Sequence, residues 1–242
     1  MSNFYQTPFN FRNRDLTLVG SITTASMDNN RSTYDETNTA TLSGTIRSSS
    51  SSSYTIDSIY LIGSNIASYS LSGGPQNRAM PAATRGLQYD LFSFTETSQT
   101  AYTLSLTRSV AANPIRLYEV WLMKSELSFV FEDTFDDFNF ERQERVTTIH
   151  QALDGEETKD RGFAPQRKLE LTYTTEGLTP DQVEDLIEFG DNYENFVHSE
   201  YFELYPQRVY LAYFPDSLST RFRIPLIGPE SEEVSTFTVK ER

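Results

Sequence analysis

Glu132, Asp133, Asp136 and Asp137 crowd four carboxylates into a short span after Phe129 and Phe131. Clustered oxygen donors are what a hard cation wants. The spacing does not make the twelve-residue calcium loop, which needs Gly at its sixth position and Glu at its twelfth. A solvated acidic loop between aromatic anchors fits residues 132–137 better, and whether it binds a cation stays open. The chain has two histidines. His150 sits in Thr-Ile-His-Gln, which reads as extended chain, so it is expected to be a hydrogen-bonded structural group rather than a base. His198 stands near Glu194 and Glu200 and could titrate near neutral pH; a histidine in a surface loop is the better fit. Carboxylate pairs of the kind glycosidases use are so numerous that no pair stands out. There is no Gly-x-Ser-x-Gly, no phosphate-binding Gly-x-x-x-x-Gly-Lys-Ser/Thr, no Gly-x-Gly-x-x-Gly and no His-Glu-x-x-His. With no cysteine, thiolate metal sites, disulfides and a cysteine nucleophile are excluded. The expectation is a protein that is not an enzyme, with no catalytic, cofactor-binding or metal-binding residue to assign and no cofactor.

The elements around these residues fall into two halves. The chain has 242 residues and a formal charge of −14. Residues 1–124 carry 9 Lys and Arg against 8 Asp and Glu, and residues 125–242 carry 11 against 26. The net charges are +1 and −15, so two domains are expected, 1–124 and 125–242. The acidic half argues against nucleic acid as a partner, because phosphates are repelled. No apolar run approaches the roughly 20 residues that span a bilayer. The first residues lack the basic and apolar regions of a secretory signal, so synthesis in the cytoplasm is expected.

In the first half, apolar and polar residues alternate at the period of strands. Tyr54–Ile62 reads as a central strand. Tyr102, Leu104 and Leu106 alternate with Thr103, Ser105 and Thr107, and Ile115–Met123 is a long buried strand. Short strands between Gly, Pro, Ser and Asn clusters indicate a sandwich or jelly roll. Serines 48–53 read as a mobile surface loop. A second loop runs from Gly73 to Gly86, with Arg78 and Arg85 as solvated charges. No aromatic cluster stands out in these loops.

In the second half, Val146–Leu153 reads as extended, Asp154-Gly155 as a tight hairpin turn, and Leu169, Leu171 and Tyr173 as one face of a half-buried strand. One helix is well signalled at about 179–190. Thr179 is the N-cap, Pro180 the first helical residue, Gln182 completes a capping box, and Val183, Leu186 and Ile187 form the apolar stripe. Gly190 is expected to end it. Arg208–Phe214, Thr220–Leu226 and Val234–Val239 read as closing strands. The fold class is mainly β: an N-terminal sandwich, then an α+β domain with a sheet or barrel and one helix.

Two resemblances follow. Tyr54-Thr-Ile-Asp57, Ile59-Tyr-Leu-Ile-Gly63, Asn65–Leu71 and Ile115-Arg-Leu-Tyr-Glu119-Val-Trp121, in that order behind an early Ala-Ser segment, resemble the discoidin or galactose-binding-like jelly roll over residues 16–124. That resemblance implies loops at one end that could hold a sugar or lipid. Arg145–Glu157, Arg161-Gly-Phe163, Phe196–Phe214 and the ending Val234–Arg242 are similar to a type of tailed-bacteriophage structural protein. The implied function is a structural component of a phage virion tail, a tail-tip or baseplate hub or adaptor. It would assemble as a homo-oligomeric ring and dock other tail proteins. The alternative is a carbohydrate-binding module that recognises a host surface glycan.

Overall fold

The computed structural model describes residues 2–6, 16–27, 32–48, 52–129, 140–141, 147–151, 157–161, 168–174, 178–200, 202–204, 206–215 and 236–241. In chain order the first strands are β1 Ser2–Gln6, β2 Leu16–Gly20, β3 Asp35–Thr37, β4 Thr41–Ser48, β5 Tyr54–Ser64 and β6 Ile66–Leu71. There follow β7 Arg78–Ala79, β8 Gln88–Gln99, β9 Ala101–Arg108 and β10 Ile115–Phe129. Next come β11 Phe140–Glu141, β12 Thr147–Gln151, β13 Glu157–Arg161 and β14 Lys168–Thr174. Helix α1 Pro180–Asn192 precedes β15 Phe196–Glu200, β16 Val209–Tyr213 and β17 Thr236–Glu241. A 3-10 turn, Thr24–Ser26, lies before β3.

The chain forms two compact units. The first is Met1–Val130 with Asn195–Leu211, and the second is Phe131–Glu194 with Ala212–Arg242. A single division at 124/125, read from charge, leaves Asn195–Leu211 with the acidic half. In the structure β15 returns to pair with β1, Phe4 opposite His198 and Tyr5 opposite Val197, and this ladder draws the segment into the first unit.

The first unit is a β-sandwich. One sheet has the order β2-β4-β9-β6-β7, and the other runs β15-β1-β10-β5-β8 with β3 alongside β10. Alternation builds the core between them. Leu42 and Ile46 of β4, Tyr69 and Leu71 of β6, and Tyr102, Leu104 and Leu106 of β9 meet Ile56, Ile59 and Leu61 of β5 and Ile115, Leu117, Val120 and Leu122 of β10. The long apolar run of β5 has a second cause. Its alternate residues Tyr60 and Ile62 face the other side of the sheet, where Tyr5, Trp121, Met123, Val197, Val209 and Leu211 cover them. A strand buried on both faces shows no clean alternation.

In the second unit β14 pairs with β17, Tyr173 opposite Phe237, and β11 pairs with β14. Tyr173 and Phe237 stack with ring centres 5.3 Å apart. Helix α1 begins with the capping box as expected. The Gln182 backbone N–H donates to Thr179 Oγ1, and the Thr179 N–H donates to Gln182 Oε1. Val183, Leu186 and Phe189 are buried while Ile187 is only half-buried, so the apolar stripe passes through Phe189. The helix runs past Gly190 to Asn192, and the N–H of Tyr193 donates to the Phe189 carbonyl.

Strands β12 and β13 pair only with each other among the described residues, Thr147 opposite Arg161 through Gln151 opposite Glu157. Among the described residues the fold is mainly β with one α-helix, and the sheets are open rather than closed into a barrel. The acidic segment 132–137, the Asp154-Gly155 turn, the expected strand Thr220–Leu226 and serines 49–51 lie outside the described residues. No helix among the described residues is long and apolar enough to cross a membrane.

Candidate functional site

Register, not sequence proximity, brings the candidate site together. β3 pairs with the start of β10 so that Thr37 faces Ile115, Glu36 faces Arg116 and Asp35 faces Leu117. Ile115 and Leu117 point into the core, which sends Arg116 and Tyr118 to the outer face. Arg116 Nε donates to Glu36 Oε2 at 2.6 Å, with both side chains substantially exposed. The Glu36 carboxylate first, and then a hydrogen bond with Tyr118, hold the guanidinium above its ordinary pKa, so Arg116 stays charged. The Tyr34 and Tyr118 rings lie 5.2 Å apart at 55°, and the guanidinium carbon sits 5.1 Å from the Tyr34 ring centre. Two phenol rings in contact with each other thus lie beside a paired cation and anion.

A β-bulge positions the second ring. The β10–β5 register slips between Leu117 and Glu119. Before the slip, positions 115 and 117 face the core; after it, Val120 and Leu122 do. Bulges re-aim side chains next to functional sites. Here the extra residue keeps Tyr118 on the outer face while the rest of β10 stays in phase with the core.

Tyr34 is 40% exposed, yet both of its neighbours are tied down. Thr33 Oγ1 donates to the Ala25 carbonyl at 3.0 Å. The buried Asp35 carboxylate accepts from the Thr23 N–H at 2.7 Å, the Thr23 hydroxyl at 2.6 Å and the Ser26 hydroxyl at 2.7 Å. These bonds fasten the turn at Thr24–Ser26 to the start of β3. Tyr34 therefore presents its ring from a fixed backbone, which lowers the ordering cost of binding. Aromatic faces take the apolar face of a ligand, while the guanidinium donates and the carboxylate accepts hydrogen bonds. That combination suits a ligand with one apolar face and several hydroxyls.

A second cluster closes the open side of the sandwich. Arg78, on β7, grips Asp90, on β8, through Nε at 2.6 Å and a terminal nitrogen at 2.9 Å. The Tyr69 hydroxyl donates to the same carboxylate at 2.8 Å. The guanidinium also lies 3.8 Å over the Phe92 ring. Arg78 is thus not the solvated charge that the sequence indicated, because its partner lies twelve residues on, across the edge of the sandwich. Its side chain is one-third exposed while that of Asp90 is buried. Burial, and then the adjacent Asp90 charge, push the Tyr69 phenol far above its usual pKa. This cluster joins edge strands of the two sheets, and its hydrogen bonds are spent inside the protein. Arg85 is exposed, in a left-handed backbone conformation.

The histidines separate. His150 lies in β12, opposite Thr158. His198 is not in a surface loop: it is fully buried on β15, its ring centre 4.7 Å from that of Phe4. Pairing with β1 removes it from water, and burial pushes its pKa down to about 3, against the smaller opposing effect of a backbone hydrogen bond with Asn3. It is not a near-neutral switch. Among the described residues, no group of three or more His, Asp or Glu side chains could hold a metal ion.

The sequence gives no sign of the Tyr34–Tyr118 pairing, because the two residues belong to segments joined only by the β3–β10 ladder. The usable signal was the alternation at Ile115-Arg-Leu-Tyr118, which sends an arginine and a tyrosine to one face.

No family model matches the chain, and no curated protein matches it. Distant similarity exists among solved structures. A Ruminococcus gnavus GH29 fucosidase in complex with fucose is 13% identical over 47% of this chain, with a TM-score of 0.36; the match spans 26% of the fucosidase. Chitosan-binding module 1 of a Paenibacillus chitosanase/glucanase, as a V110M mutant, is 15% identical over 49% of this chain and 99% of its own, with a TM-score of 0.34. CBM32-1 from a Clostridium perfringens family 31 glycoside hydrolase is 14% identical over 48% of this chain and 99% of its own, with a TM-score of 0.35. Similarity at this level does not carry a function over to the present chain.

Proposed function

We propose that the β-sandwich unit is a non-catalytic module that binds neutral glycans through Tyr34, Tyr118, Arg116 and Glu36. The observation that carries this is the placement of two part-exposed phenol rings, packed on each other, beside a 2.6 Å guanidinium–carboxylate pair, on a backbone fixed by Asp35 and Thr33. The pair is neutral overall and offers both a donor and an acceptor, which suits hydroxyl groups better than an anionic ligand. The full chain, run on native gels cast with neutral polysaccharides, should be retarded by at least one of them. Tyr34→Ala and Arg116→Ala should each weaken that binding at least fivefold. Both positions are surface-exposed, so the unfolding midpoint should barely move. Retardation that survives both substitutions would place binding elsewhere.

A second reading, a structural component of a phage virion tail acting as a hub or adaptor, draws support from the β12–β13 hairpin. Its two five-residue strands pair with each other and with no other strand among the described residues. Such a hairpin leaves strand edges that a neighbouring subunit can complete, and a repeated heterologous contact that closes makes a ring. On this reading residues 125–242 assemble with other tail proteins and the sandwich faces the host glycan. Deleting residues 151–162 should then convert an oligomer to a folded monomer in light scattering. An unchanged mass would remove the hairpin from assembly.

A further inference from the structure

The pair at Arg116 and Glu36 has a third polar neighbour. The β10–β5 register places Ser64, the last residue of β5, directly opposite Arg116. Glu36, Arg116 and Ser64 therefore form one row across β3, β10 and β5. Alternation sends Ser64 to the outer face, two residues beyond the outward-facing Ile62. Side chains directly opposite on antiparallel strands stand about 5 Å apart at Cβ. This row lies at the rim of the sheet. One step inward, Ile62 is fully buried with Tyr5, Val197, Val209 and Leu211, which ends the open surface on that side. Ser64 itself is part-exposed.

The row has hydrogen-bonding capacity to spare. Arg116 gives its Nε to Glu36 Oε2 and shares a hydrogen bond with Tyr118. A guanidinium carries five N–H donors, so others are left. Among the described residues the Ser64 hydroxyl has no hydrogen-bond partner. Its backbone is nevertheless held from next door. Asn65, in a left-handed conformation, donates through Nδ2 to the Val110 and Pro114 carbonyls at 3.0 and 3.2 Å. Its Oδ1 accepts from the Val110 N–H at 2.7 Å. These bonds tie the end of β5 to the loop that leads into Ile115 and Arg116. The unspent groups of Ser64 and Arg116 thus sit on tethered backbone, which lowers the ordering cost of binding.

We propose that Ser64 is a further specificity-determining residue of this site, and that the row reads two adjacent hydroxyls of a single sugar ring. One ring hydroxyl accepts from a spare Arg116 N–H and donates to Ser64 Oγ. The neighbouring hydroxyl donates to the Glu36 carboxylate. The inference rests on the glycan-binding reading above and adds the group recognised: a vicinal pair of ring hydroxyls, rather than the length of the glycan.

The test is calorimetric titration of the full chain with methyl glycosides of glucose, galactose and mannose, each also deoxygenated singly at every ring hydroxyl. For the glycoside that binds, loss of either of two adjacent hydroxyls should weaken binding, and loss of the others should not. Ser64→Ala should weaken the parent glycoside about fivefold, the size of one neutral hydrogen bond. Against the analogue lacking the hydroxyl that Ser64 meets, the same substitution should cost nothing further, because residues and groups in contact are not additive. Ser64→Thr keeps the hydroxyl and should stay within threefold of wild type. The unfolding midpoint should not move in either variant. Unchanged affinity in Ser64→Ala, or an equal loss against every analogue, would overturn the role of Ser64 while leaving the glycan-binding reading intact. Failure of every methyl glycoside to bind a chain that a neutral polysaccharide still retards would overturn single-ring recognition alone. Failure of glycosides and polysaccharides alike would overturn the inference together with the reading it rests on.

Discussion

Replacing Asp90 by alanine is expected to lower the unfolding free energy by about 2–4 kcal/mol. Breaking a buried ion pair by removing one partner costs about 3–5 kcal/mol when the other charge is left stranded, and the lower range applies because Arg78 is one-third exposed and can turn to water. The remaining cost is local. Asp90 accepts from Arg78 twice and from the Tyr69 hydroxyl once, and Tyr69 is a core residue that cannot follow Arg78 out. An orphaned buried hydroxyl costs about 1–3 kcal/mol. Asp90→Asn keeps an acceptor and should cost less. Urea unfolding followed by the fluorescence of Trp121, the chain's one tryptophan, 5.6 Å from Tyr60, reads the effect directly. A loss below about 0.5 kcal/mol, the range of an ordinary surface substitution, would mean that the cluster does not tie the sandwich edges together.

The second large effect is a loss of stability in acid. In the unfolded chain His198 takes up a proton below its ordinary pKa of about 6.5. In the folded chain burial holds its pKa down to about 3. Between these values the unfolded state binds a proton that the folded state refuses, so stability rises with pH. The contribution of the neutral, buried ring is complete above about pH 6.5 and is lost progressively as pH falls toward 3. Each pH unit inside that window is worth about 1 kcal/mol, a few kcal/mol in all. Carboxylates titrate in the lower part of the same range, so the informative quantity is a difference. His198→Gln cannot take up the proton and should show a shallower slope of stability against pH between 6.5 and 4 than the wild type. Equal slopes would mean that water reaches His198.

Much of the sandwich was legible because burial leaves a period in the sequence. Tyr102, Leu104 and Leu106 alternate since β9 has one wet face, and the capping box at Thr179 and Gln182 is a local device written in adjacent residues. What was not legible is non-local. The return of Asn195–Leu211 to the first unit depends on β15 finding β1 at the other end of the chain, and no local pattern encodes that pairing. For the same reason His198 looked exposed, since Ser199 and the nearby glutamates gave the segment a polar look while β1 supplied the burial. Arg78 looked solvated because its carboxylate partner lies on a different strand. The candidate site was hidden twice, by the β3–β10 ladder that joins Tyr34 to Tyr118 and by the bulge at 118–119 that interrupts the alternation.

The most direct measurement is a backbone amide NMR titration of the full chain with the neutral glycan that retards it on gels. The account predicts that the largest shift changes fall on Tyr34, Glu36, Arg116 and Tyr118 and leave the amides around Arg78 and Asp90 unmoved. Changes confined to the loop at residues 109–114 or to the second unit, with Tyr34 and Tyr118 unmoved, would contradict it.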